Sequence, residues 1–307
     1  MIVLITPRSF GKNNDAPFKL FEEKGITVVR NETGGIMTES DMKAAIKGVS
    51  GVISGVDPLN AEIMDEAPEL KAVAKYGVGT DNIDLEYCKE KGIKVSITTG
   101  ANSEAVADYT FALILALARK VVEIDKRCRE KDWAKITTSD VANKTIGLIG
   151  LGSIGKGVAR RAKGFGMEVL AYRRNWDEEY GRTAGVKYAT VDEICASCDY
   201  ICLHTPLTEE TKNIVGKREI GLMKPGAYIV NTARGGLIDE EALLDALEEG
   251  RVAGAGLDVF AKEPPEDDRW YRLTNVIMGS HCGASTTGAA DSMSMMSTQN
   301  LIRDLGL

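Results

Sequence analysis

The sequence predicts an α/β protein with doubly wound parallel sheets, on three observations. Short β-rich runs alternate with helical patterns, a glycine-spaced turn joins one such run to a helix, and 307 residues exceed the usual size of a single core. Apolar residues make up 44% and charged residues 27%, a globular balance with enough apolar side chains for two buried cores.

The alternation begins at Ile2–Ile5 and continues at 27–29, 52–53, 72–74 and Lys94–Ile97, with helical patterns between. A long helical pattern then runs from Asn102 to about Trp133, with Asn102 as its expected cap and Glu104 and Asp108 near its positive end. It is apolar over 111–118 and charged afterwards, which suits a helix that bridges two domains and packs against a second subunit; the plainer alternative is a core helix. A second series follows at 145–150, Glu168–Tyr172, Tyr200–Leu203, Ala227–Asn231, 254–259 and 275–278. The last helical stretch, 288–305, has no sheet of its own and is expected to pack back onto the N-terminal domain.

Charge and composition exclude several classes. A net charge of −7 argues against a nucleic-acid partner, because such binders carry a basic face that replaces counterions. The apolar run 111–118 falls far short of the roughly 20 residues that span a bilayer, and no basic segment with a cleavable apolar stretch opens the chain. The chain therefore reads as cytoplasmic, with no membrane partner. Six cysteines are too sparse for a disulfide scaffold, and no second pair answers Cys195 and Cys198, so they read as reduced thiols. With only His204 and His281 available, no histidine-rich metal site is expected.

The strand at 145–150 runs into Gly150-Leu151-Gly152-Ser153-Ile154-Gly155, followed by a helical pattern over 156–165 and another strand. That is the context of the Rossmann-type dinucleotide fingerprint. The first glycine permits the tight turn, the second lets the backbone approach a pyrophosphate, the third allows close helix packing, and the helix N-terminus supplies amide donors. The fingerprint expects an acidic residue at the end of the next strand to meet the adenosine ribose. Arg173 and Arg174 stand there instead, and guanidinium forks suit the extra phosphate of NADP, so NADP(H) is favoured over NAD(H). The blander alternative is an exposed strand end with two solvated arginines.

Three later strands each end in a residue capable of carbonyl chemistry: Arg234 after Ala227–Asn231, Glu263 after 254–259, and His281 after 275–278. Ligands of open α/β sheets gather at the carboxyl ends of strands. Reducing a 2-keto acid needs a cation for the carboxylate, a hydride donor and an acid for the forming alkoxide. Arg234, a nicotinamide and His281 meet those needs, and Glu263 beside the imidazole would favour its protonated form. His204 is given a structural role first, with the edge of the cofactor cleft as its alternative.

With these residues in place, the sequence resembles the D-isomer-specific 2-hydroxyacid dehydrogenases, a family that includes 3-phosphoglycerate dehydrogenases and glyoxylate/hydroxypyruvate reductases. The resemblance covers nearly the whole chain. Its motifs are Tyr76-Gly77-Val78-Gly79-Thr80-Asp81-Asn82, Gly100-Ala101-Asn102-Ser103-Glu104-Ala105-Val106, the glycine fingerprint, Leu203-His204-Thr205-Pro206-Leu207-Thr208, Asn231-Thr232-Ala233-Arg234-Gly235-Gly236, the stretch from Leu257 to Pro264, and His281-Cys282-Gly283-Ala284. It implies that Arg234, Glu263 and His281 are the catalytic residues and that Asp258 holds the nicotinamide carboxamide. It also implies cofactor contacts from Gly150, Gly152, Ser153, Ile154, Gly155, Arg173, Arg174, Thr205, Pro206, Thr211, Thr232, Ala233 and Gly283. Tyr76, Val78, Gly79 and Asn102 would bind substrate, the Val78 and Gly79 amides receiving its carboxylate. The implied plan is a flavodoxin-like substrate domain of residues 1–99 plus 285–307, a dinucleotide-binding Rossmann domain of residues 100–284, and a homodimer built around the latter.

The resemblance favours a hydroxypyruvate- or glyoxylate-type reductase, with D-3-phosphoglycerate dehydrogenase as the nearest alternative. Where phosphoglycerate dehydrogenases of one type carry phosphate-gripping arginines, Ser54 and Lys75 stand here, which weakens the phosphorylated substrate. Ending at Leu307, the chain has no room for the regulatory C-terminal domain of some serine-pathway enzymes, so serine feedback through such a domain is not expected. The related formate dehydrogenases carry glutamine at the position of Glu263, which argues against that branch. A reading of another class is a non-catalytic dinucleotide-sensing binding protein, like the C-terminal-binding-protein corepressors; the complete catalytic set argues against it.

Overall fold

A computed structural model describes residues 1–307 and divides them into two compact units, Met1–Asn102 with Ser285–Leu307, and Ser103–Ala284.

The first unit holds β1 (Ile2–Ile5), β2 (Thr27–Arg30), β3 (Gly51–Ser54), β4 (Ala72–Lys75) and β5 (Lys94–Ile97). All pair in parallel, in the order β2-β1-β3-β4-β5, the flavodoxin-like order. The interior strands β3 and β4 are buried along their whole length and, except at Lys75, are apolar or small, while the edge strands β2 and β5 bury no residue. The helix Thr287–Leu305 packs on this sheet: Leu301 is fully buried in one cluster with Val3, Ile5, Ile53 and Ala74. Removing that Leu301 side chain would cost about 2–5 kcal/mol.

The second unit carries β6 (Thr145–Ile149), β7 (Glu168–Tyr172), β8 (Val186–Tyr188), β9 (Tyr200–Leu203), β10 (Ala227–Asn231), β11 (Val252–Leu257) and β12 (Val276–Met278). Their order, β12-β11-β10-β9-β6-β7-β8, is the doubly wound arrangement, with the sequence direction reversing between β6 and β9. Ile149 pairs with Leu203, so the loops leaving β6 and β9 start side by side. Asn231, Leu257 and Met278 are likewise in register, so β10, β11 and β12 release their loops at one edge.

The structure adds one strand to the expected set and corrects two expectations, the single long helix and its Asn102 cap. The strand β8 carries no expectation from sequence, because three residues at a sheet edge offer too little alternation to read. The long helical pattern from Asn102 is two helices, Ser103–Ala118 and Val121–Arg129, broken where Lys120 takes a left-handed backbone with φ of 49°. Asn102 does not cap the first of them: its Oδ1 is buried without a hydrogen-bond partner. Glu104 and Asp108 do lie near that helix start, and both pair with Arg161 of the helix Ser153–Gly164. The first helix is deeply buried, whereas the second buries no residue.

Candidate active site

The glycine turn sits where the strand order reverses. Gly150 has φ of 113°, and a Cβ there would lie 2.5 Å from the His204 carbonyl, so only glycine lets the turn press against the loop leaving β9. A Cβ on Gly155 would meet the Gly150 carbonyl oxygen at 2.2 Å, which fixes the helix against the turn. At Gly152, by contrast, a Cβ would meet nothing within 4 Å. The middle glycine therefore faces open space at the start of the helix Ser153–Gly164, whose first amides lack intrahelical partners. That cradle fits a pyrophosphate, with Ser153 and Ile154 at its rim.

Around the turn, Arg173 and Arg174 follow β7. Arg174 forms an ion pair with Glu210, whereas Arg173 makes no ion pair or hydrogen bond. Thr211 braces the loop of Thr205 and Pro206 by donating to the Pro206 carbonyl at 2.7 Å. The His204 ring nitrogens are buried without partners, and burial pushes its pKa down to about 4. His204 is thus neutral near pH 7 and is no proton donor there.

Past β10, Asn231 builds the Arg234 turn with both ends of its amide: Oδ1 accepts from the Ala233 amide at 3.0 Å, and Nδ2 donates to the Arg234 carbonyl at 2.7 Å. Thr232 is buried, its hydroxyl 3.0 Å from that of Thr110. The next residue, Gly235, could carry no Cβ, which would stand 2.0 Å from the Phe260 carbonyl carbon. The Arg234 turn and the loop leaving β11 therefore lie in direct backbone contact.

In that second loop, Glu263 folds back so that Oε1 accepts from the Phe260 amide at 3.1 Å, leaving Oε2 3.0 Å from His281 Nδ1. His281 itself has φ of 56°, a left-handed conformation rare for a residue with a side chain. Asp258, buried at the end of β11, holds it there. Its carbonyl accepts from the His281 amide at 2.8 Å, and its carboxylate accepts from the amides of Cys282 at 2.9 Å and Gly283 at 2.8 Å. The carboxylate expected to meet a nicotinamide carboxamide thus also binds the backbone that follows His281.

In the first unit, Tyr76 accepts from the Ser9 hydroxyl and donates to the Ala290 carbonyl at 3.0 Å. The Gly77 amide donates to Thr98 Oγ1 at 2.8 Å, which anchors the Tyr76–Gly79 turn, and the amides of Val78 and Gly79 carry no hydrogen bond to protein. Lys75 is buried and donates to Asn82 Oδ1 at 2.6 Å and to the Gly55 carbonyl. Ser54 is also fully buried.

Sequence reasoning missed Asn231 and Glu240. A polar residue ending a buried strand was the signal for Asn231. Glu240 follows a cap, Asp239, and reads as an ordinary first-turn acid, so nothing local marks it.

A pyrophosphate cradle and an imidazole–carboxylate pair on one doubly wound sheet define a nicotinamide-dependent oxidoreductase. The chain belongs to the D-isomer specific 2-hydroxyacid dehydrogenase family, whose NAD binding domain matches residues 111–283, and it is an NAD(P)-dependent dehydrogenase of that family. It is 41% identical to a glyoxylate reductase of Thermococcus litoralis over 80% of this chain and 77% of that protein. It is 40% identical to a D-3-phosphoglycerate dehydrogenase of Methanocaldococcus jannaschii, over 88% of this chain but 52% of that longer protein. Among solved structures, the TT0316 protein of Thermus thermophilus superposes with a TM-score of 0.90 at 36% identity, covering 100% of this chain and 97% of that one. No helix is long and apolar enough to cross a membrane.

Proposed function

We propose that the protein reduces a small 2-keto acid of the glyoxylate or hydroxypyruvate type to the D-2-hydroxy acid, with NADPH preferred over NADH. The carrying observation is the 3.0 Å contact between Glu263 Oε2 and His281 Nδ1 on the sheet that bears the glycine turn. With Nδ1 engaged, Nε2 is the nitrogen left to give a proton to the carbonyl oxygen. Glu263 orients the ring through that contact, and Arg234 supplies positive charge for the substrate carboxylate and polarised carbonyl. The nicotinamide, when bound, supplies the hydride to the carbonyl carbon. Gly152, Ser153 and Ile154 would hold its pyrophosphate, Thr205, Pro206, Thr232 and Ala233 would border it, and Asp258 would keep a lone pair for the carboxamide. The unbonded amides of Val78 and Gly79 suit a carboxylate, which supports the residues 1–99 plus 285–307 as the substrate-binding part.

The unpaired guanidinium of Arg173, where NAD-specific proteins carry an acid, favours NADP. Lys75, committed to Asn82 and Gly55, is a poor phosphate grip and favours an unphosphorylated substrate. Val121, Val122 and Ile124 on a helix that buries nothing, and Trp133 at 80% exposed, support a homodimer through this surface. The six cysteines, all free, suit a reducing cytoplasm.

The test follows NADPH and NADH oxidation against a panel of 2-keto acids, with 3-phosphoglycerate and NAD or NADP in reverse. Turnover of glyoxylate or hydroxypyruvate with NADPH is expected. No turnover of any 2-keto acid would sink the proposal, and faster oxidation of 3-phosphoglycerate would move it to the phosphorylated substrate. Light scattering of the purified protein should give twice the chain mass, and a monomer would remove the dimer.

A further inference from the structure

We infer that Glu240, outside the catalytic trio, is a positioning residue for proton transfer: it pins the loop that carries Glu263 and brings a negative charge to bear on Glu263, the partner of His281. The inference rests on the proton-transfer role proposed for that pair.

Glu240 is the first residue of the helix Glu240–Glu248, where an acid ordinarily faces water and complements the helix dipole. Asp239 already caps this helix, accepting from the Ala242 amide at 3.1 Å. Glu240 instead reaches the loop after β11: the Ala261 amide donates to its Oε1 at 2.6 Å. The preceding amide, Phe260, donates to Glu263. Two consecutive amides are therefore held by two carboxylates, one of which belongs to the pair that handles the proton. Gly235 seals the other side of the same peptide, so Glu240 clamps the segment against the Arg234 turn.

Charge enters through the same contact. Burial raises the pKa of Glu240, the charge on Glu263 raises it further, and the Ala261 amide opposes both. Among the charged groups on the elements packed around it, Asp239 is the cap, and Glu241 pairs with Arg269, which also pairs with Asp245 and Asp267. Lys262 pairs with Glu266, and Arg234 donates to the Ala233 carbonyl. Glu263, itself on His281, is the charge that bears on Glu240. By reciprocity an ionised Glu240 adds negative charge at Glu263, the carboxylate on which His281 rests.

Glu240→Gln keeps the acceptor oxygen and the volume but removes the charge; Glu240→Ala removes both. In the reduction direction, E240A should lower kcat about tenfold or more with cofactor Kd unchanged. E240Q should keep kcat at its optimum within about twofold while its alkaline limb moves to lower pH by about half a unit or more. A merely structural side chain would not move that limb. E240Q should also melt no lower than the parent, because a partly buried charge is gone. A pH profile of E240Q that superimposes on the parent, or an E240A with parental kcat, overturns the inference. His281→Ala separates the two levels: if it too retains kcat, the proton-transfer reading fails, and if it alone loses activity, only the role of Glu240 fails.

Discussion

The buried carboxylate of Asp258 accepts a 2.8 Å hydrogen bond from the amide of Gly283, two residues beyond His281. Together with its bond to the Cys282 amide, this holds His281 in a left-handed conformation that few side chains adopt. Asp258→Asn keeps one acceptor and turns an N–H group toward an amide. Loss of about 1–3 kcal/mol of stability is expected, with a fall in kcat. Urea unfolding and steady-state rates check this, and unchanged values in both would show that the loop holds itself.

Removing the imidazole should act on the chemical step. His281→Ala is expected to lower kcat by about 10²–10⁴, with the Kd for NADPH nearly intact, because proton transfer is lost and uniform binding is not. Glu263→Gln should fall in the same direction by a smaller factor, since the ring loses its orienting anion and keeps its place. Single-turnover rates and fluorescence titration of the cofactor separate the two effects.

Arg173 and Arg174 should differ. Arg173 has no partner, whereas Arg174 is paired with Glu210, so Arg173→Ala should lower kcat/KM for NADPH relative to NADH by about tenfold, and Arg174→Ala by less. Equal ratios for both variants and the parent would remove the arginines from cofactor choice.

His204 gives a pH signature. Its ring has a pKa near 4 when folded against an ordinary 6.5, so the folded state binds fewer protons between those values. Stability from this group is full above about pH 6.5 and declines as pH falls toward 4, by as much as about 3 kcal/mol. His204→Leu should flatten that decline. Melting temperatures at pH 7 and pH 5 test it, and equal drops in parent and variant would refute the burial argument.

Gly150→Ala should fail in a different way, because φ of 113° and the His204 carbonyl 2.5 Å away leave no room for a methyl group. Loss of cofactor binding is expected, together with a lower melting temperature.

The sheets were legible because their interior strands are short apolar runs bounded by turns, as at Ala227–Asn231, where every residue is buried. The break at Lys120 was not, since neither glycine nor proline marks it and the apolar periodicity passes close by. Strand β8 is three residues at an edge, defined by pairing with β7 rather than by its own composition. At the site, sequence placed Arg234, Glu263 and His281 after three strands, and the structure makes those strands neighbours. What it could not give were bonds between distant residues: Asp258 to the Gly283 amide, and Glu240 to the Ala261 amide. Acids near strand and helix ends are common, and only the folded chain shows which amide each one faces.

The missing side chain at Gly235 has a consequence for how such a protein can change. Its α-carbon abuts the Phe260–Ala261 peptide, so any descendant that enlarges residue 235 must rebuild 260–261 at the same time. The cation-bearing turn and the acid-bearing loop are expected to drift together or stay fixed. Directed evolution toward new substrates should therefore collect its accepted mutations away from this seam.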